Sequence, residues 1–409
     1  MSGFRLVEVE LSSAPAPIAL AANEKGVGLI VRRRGRPVGF AMLDAEPGSQ
    51  IPAEVVARLA TSAAAEAVVA DALRDELVSA TPKAALPTVS IAICTHDRTD
   101  GLLRCLTSIA RMRDGSSHGG RLVEVLVVDN APSTPATRDA VTGMPGVRYV
   151  LERKTGLDFA RNCAWQSATG DVVAYLDDDV VVDAGWLDGM MRALANNPDA
   201  SAITGLVLPY TLADEAHVLF EKRGGFRRGF LPLRWRGREH SYDRIYPLGS
   251  GIFGAGANMA IRRDVLAALG GFDEALDTGA PLPGGGDLDI FYRVLRAGHA
   301  LVYEPGMAVR HEHRSSVDGL RRQYYTWGLG FFAFLGKVWE AEPGERAKIR
   351  LLAKWWTLDI ARTLKGRLAK ADPTPVEMSF SELAGGLEGA MGEYRRSLRR
   401  VAEIRRRGR

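Results

Sequence analysis

Short apolar runs rich in valine and isoleucine, spaced by segments long enough for a helix, dominate this chain from Val89 onward and constrain what it can fold into. VSIAIC, LVEVLVV, VRYVL and DVVAYL occur in that order. Runs without polar alternation suit strands buried on both faces, and their alternation with helices predicts an α/β fold with a parallel sheet. On such sheets ligands gather at the carboxyl ends of the strands, so the polar residues that follow each run matter most.

Thr95-His96-Asp97-Arg98 follows the first run, Asp129-Asn130 the second and Asp177-Asp178-Asp179 the fourth, which puts all three clusters on one sheet edge. Taken singly, Thr95 and Asp129 fit a cap or a turn as well as a ligand contact. The triple aspartate is harder to explain that way. Three adjacent carboxylates repel one another, and unpaired charge beside a buried strand is costly. A divalent cation resolves the conflict: if strand geometry persists, Asp177 and Asp179 face one side and Asp178 the other. Hard oxygen ligands favour Mg2+ or Mn2+. A solvated acidic turn is the alternative.

With 409 residues and about 150 per domain, two or three units are expected. Residues 1–85 read as a small α+β unit: a strand from Phe4, a hairpin of GLIVRR and PVGFAML turning at Gly35, then an Ala-rich helix after Pro52. TPKAALP at 81–87 reads as a linker. Residues 86–316 form the central unit, and 317–409 a helical extension with eight arginines from Arg395 onward. That tail, with Trp327 and the Trp355-Trp356 pair, fits either an anionic membrane surface or plain helix packing with a solubilising end.

A net charge of +4 is too small for a nucleic-acid footprint. Three cysteines (Cys94, Cys105, Cys163) without CxxC spacing exclude a disulfide framework and a zinc site, and fit a reducing compartment. No apolar run reaches the roughly 18 residues of a membrane span, and no signal-peptide layout is present. The expected location is cytoplasmic, either free or peripheral on the inner face of the membrane.

In order, VSIAICTHDR, VEVLVVDNAPS, GLDFARNCAWQSATGDVVAYLDDDVVVDAGWL, GANMAIRRDVLAALGGFDE, GGGDLDIFYRVLRAG and VRHEHR resemble the family 2 glycosyltransferases of GT-A fold, over residues 89 to about 315. The resemblance implies a GT-A-type mixed, mainly parallel sheet flanked by helices, a nucleotide-diphosphate sugar donor and a hydroxyl acceptor. It implies nucleotide-sugar contacts from Thr95, Arg98, Asp129, Arg161, Asn162, Asp177 and Asp178, and a metal held by Asp177, Asp179 and His311. It also implies inversion at the anomeric carbon, with Asp287 as the base. Asp129 favours a UDP or dTDP donor and leaves GDP open. Family members commonly carry Glu-Asp where this chain has Gly286-Asp287, and Pro283-Gly284-Gly285-Gly286 reads as a mobile loop or a close backbone approach.

Several residues have rivals. Asp287 also suits a helix cap, worth about 0.3–1 kcal/mol, and Asp289 competes as base. His313 competes with His311. Asp273 reads as a turn or cap, and Trp165, Trp186 and Trp235 as core packing rather than sugar platforms. The arginines of GGFRRGFLPLRWRGR suit an anionic ligand or a solvated loop. A sugar nucleotidyltransferase would carry a Gly-rich phosphate loop where THDRTDGL stands, and a non-catalytic binding module would be expected to lack the acidic cluster or Asp287.

Overall fold

The structure is a computed structural model that describes residues 3–77, 85–237, 244–368 and 375–407. The predicted linker falls partly outside these ranges, at 81–84.

The first strands are β1 (Gly3–Glu10), β2 (Glu24–Arg33) and β3 (Arg36–Asp44), followed by α1 (Ala53–Leu77). β2 and β3 form the expected hairpin, and β1 lies parallel to β2. α1 packs on this small sheet through Val56, Ala60 and Ala64.

Next come β4 (Val89–Thr95), α2 (Thr99–Gly115), β5 (Leu122–Asn130), α3 (Ala136–Val141), β6 (Val147–Glu152), α4 (Leu157–Ser167) and β7 (Val172–Asp177). The chain continues through β8 (Val180–Val182), α5 (Trp186–Asn196), β9 (Ala200–Pro209), α6 (Glu215–Lys222) and β10 (Leu233–Arg236). β11 (Asn258–Arg262), α7 (Arg263–Leu269), α8 (Gly286–Arg296) and β12 (Ala300–His311) complete the central unit. The main sheet has nine strands in the order β8-β12-β9-β11-β7-β4-β5-β6, with β10 paired to β12. β4, β5, β6, β7, β9 and β12 run one way, and β11 enters antiparallel between β7 and β9. This is the mixed, mainly parallel sheet flanked by helices that the resemblance implies.

Side chains alternate across the sheet. Ile91 and Ile93 of β4 meet α2 and α5 through Leu106 and Met190, while Ala92 meets α4 and α8 on the other face. β6 departs from the expectation of burial on both faces: its residues are half-buried or exposed because it closes the sheet as an edge strand.

Four helices end the chain: α9 (Val317–Ala341), α10 (Arg346–Leu368), α11 (Val376–Ala390) and α12 (Glu393–Arg407). α9 and α11 touch backbone to backbone at glycines. A Cβ added to Gly328 would lie 2.1 Å from the Glu382 carbonyl oxygen, and one on Gly385 would lie 1.9 Å from that of Tyr325. The same device anchors the 283–286 loop, whose Gly284 and Gly285 pack on Gly330 of α9. Those glycines serve a close contact with α9. No helix among the described residues is long and apolar enough to cross a membrane.

Candidate active site

The acidic cluster is built by two strands and the turn between them. β7 ends on Asp177, β8 starts at Val180, and Asp178 and Asp179 form the link. β12 pairs antiparallel with β8 so that His311 lies opposite Val180, and the Glu312 amide donates to the Asp179 carbonyl at 3.1 Å. His311 Nε2 therefore sits 3.3 Å from Asp179 Oδ1 and 3.8 Å from Asp177 Oδ2. One ligand atom from each of these three residues lies within 4.8 Å of the other two. Asp179 Oδ1 is buried with no hydrogen-bond partner. Two hard carboxylates, one of them with an orphaned oxygen, and an imidazole fit a divalent cation.

Asp178, in the turn after β7, points the other way. It accepts from Thr95 Oγ1 at 2.7 Å and from Arg98 Nη1 at 2.8 Å, while Arg98 Nη2 reaches Asp179 Oδ2 at 2.9 Å. Burial raises the Asp178 carboxyl to about 6 against the pull of Arg98 and Thr95. Burial and the Asp179 charge push Asp177 up. Burial acts on Asp179 as well, but His311 and then Arg98 outweigh it and hold that group low.

A cavity of about 830 Å³ opens beside the cluster, lined by Asp177, His311, Arg161 and Asp287 among others. Asp287 stands in the first turn of α8, its Oδ2 accepting from the Gly256 amide at 3.0 Å and its Oδ1 from the Leu288 amide at 2.9 Å. Behind it lies a buried charge group that the sequence reading missed: Arg161 Nη1 contacts Asp158 Oδ1 at 2.9 Å and Asp277 Oδ2 at 3.2 Å. Burial pushes Asp158 well above the usual carboxylate range and Asp277 to about 6, in each case against Arg161. A Cβ at Gly286 would lie 2.1 Å from Asp158 Oδ2. The missing side chain at 286 thus makes room for a carboxylate delivered by α4.

The other candidates divide. Asp129 is fully buried at the end of β5, with Tyr149 Oη donating to Oδ2 at 3.0 Å and Oδ1 left without a partner. Asn162 turns from the cavity: its amide clasps Phe272 N at 2.8 Å and O at 3.0 Å and accepts from Trp165 Nε1 at 3.1 Å. Its polar atoms are consumed by the loop that precedes α8, so the structure does not bring it to the other candidates. Asp289 is buried and ion-paired with Arg293 at 2.7 Å and Lys337 at 2.6 Å, which commits both its oxygens to cations. His313 lies behind His311, bonded to Glu221 at 2.8 Å, and burial takes its basicity well below the usual value.

Asp273 accepts from the Ala275 amide at 3.0 Å and from Tyr394 Oη at 2.8 Å, a tie to α12. Trp186 is buried and donates to Asn258 Oδ1 at 2.9 Å, and Trp235 packs edge-on to Phe253. In the arginine loop, Arg228 lines the cavity, whereas Arg227 pairs with Glu221 and stacks on Phe40. Trp327, Trp355 and Trp356 also line the cavity. Their sequence signal, aromatics on helix-forming segments, does not distinguish a cavity wall from a core. Several tail arginines are committed to acids within the chain: Arg395 to Glu340, Arg396 and Arg400 to Glu393, and Arg405 to Glu274.

A family model, glycosyl transferase family 2, matches residues 90–270. The pre-mycofactocin glycosyltransferase of Mycobacterium tuberculosis is 26% identical over 243 residues, covering 59% of this chain and 46% of that protein. The succinoglycan biosynthesis protein ExoM of Rhizobium meliloti is 29% identical over 250 residues, covering 59% of this chain and 72% of ExoM. This chain therefore spans about half the length of the mycobacterial relative. Among solved structures, the mannosyltransferase PcManGT from Pyrobaculum calidifontis, in complex with GDP-Man and Mn2+, superposes with a TM-score of 0.47 at 17% identity, covering 79% of this chain and 94% of that one.

Proposed function

We propose that this chain, which carries a family 2 glycosyltransferase domain at residues 90–270, moves a sugar from a nucleotide diphosphate to an acceptor hydroxyl with inversion at the anomeric carbon. The observation that supports this most is the shared wall: Asp177 and His311 line the same cavity as Asp287. The acceptor oxygen bonds to the anomeric carbon as the bond to the diphosphate breaks, and Asp287 takes the acceptor proton. Two backbone amides orient its carboxylate and leave lone pairs for that proton. Asp177, Asp179 and His311 would hold a Mn2+ or Mg2+ ion, which would supply positive charge for the departing diphosphate. Arg161 adds fixed positive charge on the cavity wall, and Arg98 steadies the acidic pair.

Thr95 and Arg98 end the strand and begin the helix expected to meet the nucleotide. The family resemblance at Asp129 favours UDP or dTDP donors and leaves GDP open. Three free thiols suit the cytoplasmic side.

The test is a panel of UDP, dTDP and GDP sugars with Mn2+ or Mg2+, scored by thermal shift and by product formation. Asp179→Ala should lose metal-dependent donor binding. Asp287→Asn should keep the thermal shift and lose transfer by about 10²–10⁴-fold. Transfer at the parent rate in Asp287→Asn would remove that residue as the base, and a retained linkage in the product would overturn inversion.

A further inference from the structure

The outer face of α10 and α11 carries no part of the proposed chemistry, yet its composition is unusual for a surface exposed to water. Val376, Phe380, Leu383, Leu387 and Met391 recur at spacings of four, three, four and four, which places them on one side of α11. The opposite side, with Met378, Gly385 and Gly389, is buried and packs on α9. Phe380 is 55% exposed, Leu387 57% and Met391 70%, values at which a monomer in water gains nothing from such residues. On α10, Trp355 and Leu358 are exposed among four exposed cations: Arg350, Lys354, Arg362 and Lys365. The one acid of α10, Asp359, is half-buried, and α11 adds one exposed acid, Glu377.

We infer that this face lies on an anionic membrane surface. Tryptophan and leucine interleaved with long cationic side chains is the pattern of an interfacial helix: the rings enter the headgroup boundary while the cations reach lipid phosphates. A second copy of the chain would bring the cations of α10 against one another, so the charge favours lipid. The location also matters. Trp355 is both 49% exposed and part of the cavity wall, and Trp356 and Glu382 line the cavity from the same two helices. The cavity mouth therefore opens beside the docking face, within reach of an acceptor anchored in the bilayer. No helix among the described residues can span a membrane, so attachment by these helices is peripheral.

The test is co-sedimentation of the full chain with vesicles of phosphatidylcholine alone or with added phosphatidylglycerol. The parent should sediment with the anionic vesicles and release as salt is raised. Phe380→Ser with Leu387→Ser should weaken binding by about tenfold or more, and Arg362→Glu with Lys365→Glu should abolish the preference for anionic lipid. All four residues are exposed and lie outside the cavity wall, so both variants should keep the parent melting temperature and donor hydrolysis. Absence of parent binding to either vesicle overturns the inference. So does a parent dimer that the Phe380/Leu387 variant turns into a monomer, since the face then belongs to a second copy. Binding is read without transfer, so failure here is distinguishable from failure of the catalytic reading.

Discussion

Gly286 and Asp158 compete for the same space, and the backbone next to Asp287 depends on how that competition is settled. Alanine at 286 would place its Cβ 2.1 Å from a fully buried carboxylate oxygen. Gly286→Ala should therefore cost about 1–3 kcal/mol in urea unfolding. On an Asp158→Ala background the same change should cost much less, a coupling that a double-mutant cycle reads directly. Asp277, in the same buried group, makes a second prediction with a defined sign. Its folded value of about 6 lies above the usual 3.8, so its stabilisation is present at low pH and is lost as pH rises through about 6. Asp277→Asn, which cannot ionise, should therefore gain on the parent in melting temperature between about pH 4 and 6 and hold a steady gap above that; a gap constant from about pH 4 to 6 would remove the ionisation as its cause. Arg161 was singled out in the sequence, but its two carboxylate partners were not legible there. Asp158 stands inside GLDFARN and Asp277 in an ordinary loop, and only tertiary packing makes either of them a buried charge. The opposed directions of Asp177 and Asp178 match what a two-residue strand repeat would give, but the strand ends at Asp177 and the turn through Asp178 and Asp179 sets them.

Glycine acts twice at the level of elements, and the two cases separate helix propensity from packing. Gly385 lies mid-helix in α11, where alanine would gain about 1 kcal/mol from propensity alone. Its Cβ would lie 1.9 Å from the Tyr325 carbonyl oxygen, a rigid backbone atom, and separating α9 from α11 costs more than that gain. Gly385→Ala should lower stability in urea. Gly366 in α10, with nothing within 4 Å of its added Cβ, should rise by about 0.5–1 kcal/mol on the same change. If both rise, the helices are not held by glycine contact. The runs of Val and Ile made the strands legible, and their spacing made the parallel order legible. Two features were not: β11 enters between β7 and β9 against the main direction, and β6 closes an edge. Both are matters of which strand finds which neighbour, and apolar content does not encode that choice.

Across the whole molecule, the small N-terminal sheet is docked on the central one. Ile30 and partly buried Leu6 and Phe40 pack against Leu206, Leu208, Tyr303 and Ala308, and Phe4 packs with Leu212 and Val218. The Phe4 amide donates to the Leu212 carbonyl at 2.7 Å. Polar ties surround the contact: Arg32 to Asp183 at 2.5 Å, Lys222 to Asp44 at 2.6 Å, and Arg310 to Glu8. Fully burying a side chain such as Ile30 contributes about 1.5–3 kcal/mol, whereas an ion pair as exposed as Lys222–Asp44 contributes about 0–1 kcal/mol, so the apolar contact outweighs that tie. The sequence shows two sets of β-rich runs and says nothing of their docking, because Val and Ile facing another sheet look the same as Val and Ile facing a helix. Removing residues 1–85 would uncover Leu206, Leu208, Tyr303 and Leu212 together. The shortened chain should aggregate or melt well below the parent, while Asp44→Ala in the full chain, at the exposed end of the Lys222 pair, should change the melting temperature only slightly. A monodisperse shortened chain with the parent melting temperature would show that the central sheet does not need this cover. The N-terminal unit would then have to be explained by what it binds.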